Sequence, residues 1–333
     1  MAGVQALRRV QLGQEGTAGT AVVATAVWRG QSGGFEDQRE IVFADEDIGI
    51  LQLSDRVYVP KLQGAITLDE TPATFEQILY MLEGGIKKVA TGVADGAGSG
   101  KIYAYPFPVS AANTIHTFTI EAGDDMQAEE MAYSHVSAFT ISGKGGESLM
   151  MSSDWIGRTV ATTTFTGDLA IPTVEEILFG KGAIYIDPVG SIGSTKKSNT
   201  LMEMSLNVET GLVPRFPASE ALHFARVATV PAEVKLELTF EHDATAVAEK
   251  AAWRAGTARA VRLLFQGDAL ATAGTAYTYK SLIIDLYGKW ESFDKLDEDD
   301  GNDIVKGTLS CRYNETGEGL GTITVVNELA ALV

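Results

Sequence analysis

Short runs in which apolar and polar residues alternate recur along most of the chain. Glu40-Ile41-Val42-Phe43, Thr117-Phe118-Thr119-Ile120, Val136-Ser137-Ala138-Phe139-Thr140-Ile141 and Lys235-Leu236-Glu237-Leu238-Thr239-Phe240 are the clearest. A period of two in β-branched and aromatic residues predicts strands with one buried face, and the Gly, Asp and Asn between the runs predict antiparallel turns. Two segments change period. Residues 74–83 follow Pro72, place Phe75, Ile78, Leu79 and Leu82 on one helical face, and meet Gly84-Gly85, which predicts a helix that stops there. Residues 244–255 predict a second helix, with Asp243 as its N-cap and Gly256 as its terminator.

Aligning the two helices sets Thr67 opposite Thr239 and Gly84 opposite Gly256. Each helix is then followed by a strand ending in a Gly-Asp turn (116–124 and 259–268), a strand opening on Tyr (133–141 and 279–287) and a closing strand (148–155 and 304–313). Upstream, Glu40-Ile41-Val42-Phe43 answers Glu203-Met204-Ser205-Leu206, and Ala26-Val27-Trp28 answers Ile184-Tyr185-Ile186. This order predicts a tandem duplication, β-β-β-α-β-β-β twice, in domains 1–170 and 171–333; the competing reading is two unrelated α+β domains. The fold class expected is mainly β, with two antiparallel β-sandwich or barrel domains each flanked by one helix. The first copy carries extended loops at 35–58 and 86–115. Loops of this length usually act or bind. Pro106 and Pro108 make 86–115 read as an extended arm whose Lys101, Tyr103, Tyr105 and Phe107 reach a neighbouring subunit.

The length of 333 residues fits two domains at about 150 residues each. Charge narrows the function further. The chain has 44 acidic and 26 basic residues, a formal charge of −18, spread as −10 over residues 1–170 and −8 over 171–333. That balance argues against a protein whose task is to grip nucleic-acid phosphates, and Lys87-Lys88 and Lys196-Lys197 are isolated pairs rather than a basic stripe. It fits either plain solubility or a surface that repels another polyanion. The densest patch holds Asp294, Asp297, Glu298, Asp299, Asp300 and Asp303, between strands ending near Trp290 and starting near Ile304, and reads as a solvated hairpin loop. As an EF-hand it fails: with Gly301 sixth, Leu296 stands first and Gly307 twelfth, where oxygen ligands are required.

Other chemistry is thin. Gly100-Lys101 lacks the upstream Gly and the following hydroxyl of a phosphate loop, having Asp95 and Ile102 there instead. His116, His135, His223 and His242 show no metal-ligand spacing, and His116 and His135 read as partly exposed strand positions. The single cysteine, Cys311, reads as a buried packing residue, and no Gly-x-Ser-x-Gly elbow is present. The first residues lack the apolar stretch of a secretion signal and no run is apolar enough to span a bilayer, so the expectation is a soluble protein made inside the cell. No enzyme, cofactor or metal site is expected. Trp28, Trp155, Trp253 and Trp290 are dispersed, which argues against a carbohydrate-binding sheet face.

Several strings together resemble the tail tube (major tail) proteins of long-tailed bacteriophages, of the duplicated-domain type. They are Gln11-Leu12-Gly13-Gln14-Glu15-Gly16-Thr17-Ala18-Gly19-Thr20-Ala21, Asp55-Arg56-Val57-Tyr58-Val59-Pro60 and Thr71-Pro72-Ala73-Thr74-Phe75-Glu76-Gln77-Ile78, then Ser152-Ser153-Asp154-Trp155-Ile156-Gly157-Arg158 and Val174-Glu175-Glu176-Ile177-Leu178-Phe179. The resemblance covers nearly the whole chain and rests on order and duplication rather than on a catalytic signature. It implies a virion structural protein, assembled in the host cytoplasm, whose trimeric rings imitate a hexamer and stack into a hollow tail tube. Its partners would be further copies of itself, a tape measure protein and tail tip or terminator proteins. Double-stranded DNA would pass through the lumen without specific binding, and no membrane is involved. Four inner strands from each of six domains give ~24 strands, a backbone diameter of about 48 Å and a bore of about 38 Å, wide enough for duplex DNA. The Asp294–Asp303 patch would then face the lumen or the next ring. The competing expectation is another virion structural protein, such as a head decoration or tail terminator subunit.

Overall fold

The computed structural model describes residues 3–332. The first half of the chain forms β1 (Arg9–Gln14), β2 (Ala26–Val27), β3 (Ser32–Asp37), β4 (Glu40–Phe43), β5 (Val57–Lys61) and β6 (Gly64–Pro72) before helix α1 (Ile78–Gly85). Then come β7 (Val93–Ala94), β8 (Lys101–Pro106), β9 (Phe118–Gly123), β10 (Ala128–Lys144), β11 (Met150–Gly157) and β12 (Val160–Thr163). The second half forms β13 (Gly182–Pro188), β14 (Lys196–Lys197), β15 (Leu201–Glu209), β16 (Leu212–Arg215), β17 (Arg226–Thr229) and β18 (Glu233–Glu241) before α2 (Ala244–Arg254). It ends with β19 (Ala258–Ala269), β20 (Tyr279–Phe293), β21 (Asp297–Asp299), β22 (Asn302–Cys311) and β23 (Gly321–Asn327). The protein is mainly β, as the alternating pattern predicts.

In the first half one antiparallel layer runs β3-β6-β11-β10 and the other β2-β1-β9-β10-β12, the long β10 serving both. The second half runs β15-β18-β22-β20 and β14-β13-β19-β20-β23, with β20 shared in the same way. Strand for strand the order is the same. A bulge falls at the same place in each shared strand, between Val136 and Ala138 and between Trp290 and Ser292. A bulge bends its strand and increases its twist, which is how one strand turns from one layer into the other. Both halves also insert a two-stranded hairpin after the first strand of the first layer, β4–β5 and β16–β17.

These pairings correct the alignment read from the sequence. Thr67 and Glu237 both pair with the residue that follows the bulge position, Asp154 and Thr308, so Thr67 answers Glu237, not Thr239. A slip of two residues leaves every side chain on the same face, so alternation cannot detect it. β15 answers β3 rather than Glu40–Phe43, which lies in the hairpin, and the strand containing Ile184 answers β1 rather than Ala26–Val27.

The helices differ more than their common position suggests. Asp243 caps α2 by accepting from the backbone N–H groups of Thr245 and Ala246 at 2.8 and 2.9 Å, and Gly256 follows with φ +63°, as expected. α2 buries one stripe, through Ala246, Glu249 and Ala252. In α1 every residue is buried, and Gly84-Gly85 lie within the helix instead of ending it. Added Cβ atoms there would come within 3.0 Å of Trp155 and 3.1 Å of Thr210, so these glycines serve close packing.

What covers α1 is the segment read as an arm. β8 pairs along 101–106 with 322–327 of β23, the last strand of the same chain. Tyr103 and Tyr105 are fully buried and Phe107 nearly so, while the Tyr103 hydroxyl donates to the Leu329 carbonyl at 2.7 Å. The assignment of Lys101, Tyr103, Tyr105 and Phe107 to an arm reaching another subunit is therefore corrected: the first three lie in a strand that locks the first half onto the second, with Tyr103 and Tyr105 in the core and Phe107 just past the strand's end. The alternation through Tyr103 and Tyr105 is a strand's signal, and the two prolines come only at and after its end.

Candidate functional site

The two first layers do not stop at the boundary between the halves. β10 and β15 pair along 138–144 and 203–209, so the chain carries one continuous sheet, β3-β6-β11-β10-β15-β18-β22-β20. One face is apolar and buried, through Leu68, Trp155, Ile141, Leu206, Leu238 and Leu309. The opposite face is built from the intervening positions. Residues directly paired across strands share a face, and one such row reads Ser152, Thr140, Asn207, Lys235, Ser310, Lys289. The next reads Met150, Ser142, Ser205, Glu237, Thr308, Ser292.

Hydroxyls and carboxylates dominate this face. The Thr140 hydroxyl donates to Asn207 Oδ1 at 3.1 Å and the Thr67 hydroxyl to Asp154 Oδ1 at 2.7 Å. Three of its lysines are tied down: Lys306 to Glu237 at 2.7 Å, Lys235 to Glu233 and Glu291 at 3.6 Å, and Lys144 to Glu147 at 3.2 Å, while Lys289 makes no salt bridge among the described residues. Asp154, Glu203 and Glu209 make no salt bridge among the described residues. The result is a broad polar face on which carboxylates outnumber ammonium groups.

The ends of this sheet are as informative as its face. Among the described residues β3 pairs only with β6, and at its bulged end β20 pairs with β22 on one side and with no strand on the other, where α2 touches it through the Trp253 indole N–H, which donates to the Glu291 carbonyl at 3.2 Å. Beyond Phe293 the β21–β22 hairpin continues the same edge. It turns through Asp300 and Gly301, whose φ values of +49° and +84° make the tight two-residue turn favoured between twisted strands. Asp294, Asp297, Glu298, Asp299, Asp300 and Asp303 are brought together here, all exposed, as the sequence predicts for a solvated hairpin loop. Among the described residues no cluster of His, Cys, Asp or Glu is disposed to hold a metal ion.

The inserted hairpins behave oppositely. β16–β17 folds back onto the first half: Phe224, in its connecting loop next to β17, is fully buried, 5.1 Å from the Tyr133 ring and 5.9 Å from His135, while residues 217–222 of that loop are exposed. Arg158 lies 4.4 Å over the Tyr133 ring and donates to the Phe224 and Ala225 carbonyls at 3.0 Å each. β4–β5 stands out from the chain, with Phe43 71%, Leu51 108% and Leu53 93% exposed.

Buried ionisable groups serve the fold. Burial lowers the His135 pKa to about 4, with Nδ1 toward the Tyr133 carbonyl and Nε2 unpartnered among the described residues. His116 is also buried, bonded through Nδ1 to Glu83, which further accepts from the Tyr105 hydroxyl at 3.3 Å. Both histidines are thus corrected from partly exposed to buried positions, covered by elements distant in sequence. Lys280 joins the halves by reaching Glu76 at 2.8 Å and Glu175 at 3.1 Å. Desolvation opposes its charge, but those two carboxylates outweigh it and hold its pKa above the usual lysine value. Cys311 is buried, its thiol pKa pushed up to about 12 by desolvation.

Comparison with protein-family models returns no match, and comparison with curated proteins returns none either.

Proposed function

We propose that the protein is a tandemly duplicated tail-tube-type subunit that assembles head to tail into rings, which stack into a hollow tube for DNA. One observation carries this reading. The seam between β10 and β15 joins one copy of the motif to the next inside the chain, and the corresponding edges at the two ends, β20 and β3, are left open. Unpaired strand edges seek partners. A seam repeated between molecules is a heterologous contact, which closes into a ring or runs on as a filament according to its rotation. Three chains of this kind supply ~24 strands, enough for the ~38 Å bore.

In that assembly the polar face of the continuous sheet lines the bore, and its acidic excess disfavours the counterion release by which basic surfaces bind DNA. The chain then acts by shape and charge, without catalytic residues or cofactor. Negative-stain microscopy of the purified protein tests the assembly: rings or tubes are expected, and dispersed single chains at high concentration would refute it. Replacing Asp154, Glu203 and Glu209 by Lys should slow DNA passage; unchanged ejection kinetics would remove the role given to the charge.

A further inference from the structure

Hairpin β4–β5 exposes a set of large apolar side chains that a lone chain has no reason to carry in water: Phe43, Ile48, Ile50, Leu51, Leu53 and Tyr58 are each more than half exposed. A contiguous apolar projection of this kind marks a contact. The same place in the strand order of the second half is filled by β16–β17, and there the structure displays what such a hairpin does. It lies on the preceding copy of the motif, with its connecting loop held by Tyr133, His135 and Arg158.

The pairing scheme identifies the matching receiving surface on the second half. Val136 pairs with Trp155 just before the bulge, and Trp290 pairs with Leu309 just before the equivalent bulge. Counting three residues back from Val136 and Trp290 gives Tyr133 and Tyr287; counting three on from Trp155 and Leu309 gives Arg158 and Arg312. The two residues that grip the covered hairpin thus recur in kind at the equivalent positions, and Lys289 stands where His135 does. Here no hairpin of the described residues lies on them, although the 313–320 loop packs against the Tyr287 ring. Arg312 and Lys289 are exposed, Tyr313 is 62% exposed, and the Arg312 side chain has no hydrogen-bond or ion-pair partner among the described residues.

We propose that the β4–β5 hairpin of one copy docks on Tyr287, Lys289 and Arg312 of a second copy of this chain, as β16–β17 docks on Tyr133, His135 and Arg158 within it. The inference rests on the head-to-tail reading above and adds its side-chain contact. Charge complementarity favours this occupant: the hairpin tip carries Asp45, Glu46, Asp47 and Asp55 with one arginine, Arg56, already paired to Glu46 at 3.0 Å. The receiving surface presents two cations without a salt bridge among the described residues, Arg312 and Lys289, with Glu315 and Glu318 on the neighbouring 313–320 loop. Arg312 would donate to backbone carbonyls near Leu51 as Arg158 donates to those of Phe224 and Ala225, while Leu51 and Leu53 cover Tyr287 and Tyr313. The loop from Tyr313 to Leu320, absent at this point of the first half, sets Gly317 against the Tyr287 ring and forms one wall of the seat.

Two variants, Leu53→Cys and Tyr313→Cys, mixed in the assembled state under mild oxidation, test the contact. Disulfide-linked dimers should form in the mixture and in neither variant alone. In parallel, Leu51→Asp/Leu53→Asp and Arg312→Glu should each raise the concentration needed for assembly by about tenfold or more, with the melting temperature of the dissociated chain unchanged. Assemblies that form normally in both charge variants and give no mixed disulfide would overturn the hairpin contact while leaving the head-to-tail reading standing. Disulfides in the Leu53→Cys sample alone would assign the hairpin to another hairpin and overturn it equally. Absence of any assembly in the unaltered protein would overturn both.

Discussion

Hairpins β16–β17 and β4–β5 leave the same sheet at the same place, yet the connecting loop of one holds a fully buried phenylalanine and that of the other a leucine as exposed as in an extended chain. Apolar content does not explain the difference, since both connecting loops carry large apolar residues, Ile48, Ile50, Leu51 and Leu53 in one and Phe216, Leu222 and Phe224 in the other. Position does: the second hairpin lies on the first half, and among the described residues nothing lies under the exposed side chains of the first. The same holds for the sheet, where β15 finds β10 while β3 finds no strand on its outer side. In the proposed assembly the intramolecular interface would serve as the template for an intermolecular one, and residues that look misplaced in a single chain would acquire partners.

The sharpest way to break this comparison is to empty the covered site. Phe224→Ala removes a fully buried ring and should cost about 3–5 kcal/mol in denaturant unfolding, whereas Leu51→Ala in the dissociated chain should move stability by less than about 0.5 kcal/mol. Equal losses would mean that the two connecting loops are equally engaged. Acid probes the same place. His135 lies under Phe224 and is held neutral, its pKa lowered from 6.5 to about 4 by burial. As pH falls below 6.5 the unfolded chain takes up the proton first, so stability present above that pH is lost progressively down to about 4, about 3 kcal/mol in all. Hydrogen exchange should locate the loosening at residues 212–229; uniform loss across the chain would contradict it.

Smaller effects sharpen the comparison. Arg158→Met removes two hydrogen bonds to backbone carbonyls and a stacking contact, and should destabilise by about 1–3 kcal/mol. Arg312→Met in the dissociated chain should be nearly silent in the same melting assay. Across the seam Lys144 faces Glu203, so Lys144→Glu sets like charges opposite each other and should cost less than about 1 kcal/mol, an effect that fades with added salt.

Much of the fold was legible because its signals are local. Alternation located the strands, and Asp243 and Gly256 fixed the ends of α2 through a cap and a positive φ. What escaped was long-range. A strand of period two looks the same after a slip of two residues, so alternation alone cannot distinguish Thr239 from Glu237 as the counterpart of Thr67. Nothing near Tyr103 or Tyr105 signals that their partner strand lies at the far end of the chain, so a core strand read as an arm. The acidic hairpin was legible because Asp300-Gly301 is itself the turn. The polar sheet face and the apolar tip at Leu51 and Leu53 took their meaning only from the strand pairing, although 35–58 already stood out as an extended loop.

In the proposed assembly the free edges of β3 and β20 meet between copies. Cryo-electron microscopy of the assembled protein reads this directly. The account predicts a closed ring of three chains in which Ser32–Asp37 of each copy pairs with the bulged end of β20 in the next, in the manner of the β10–β15 seam. A map in which those edges stay unpaired, or in which copies meet through other strands, would contradict it.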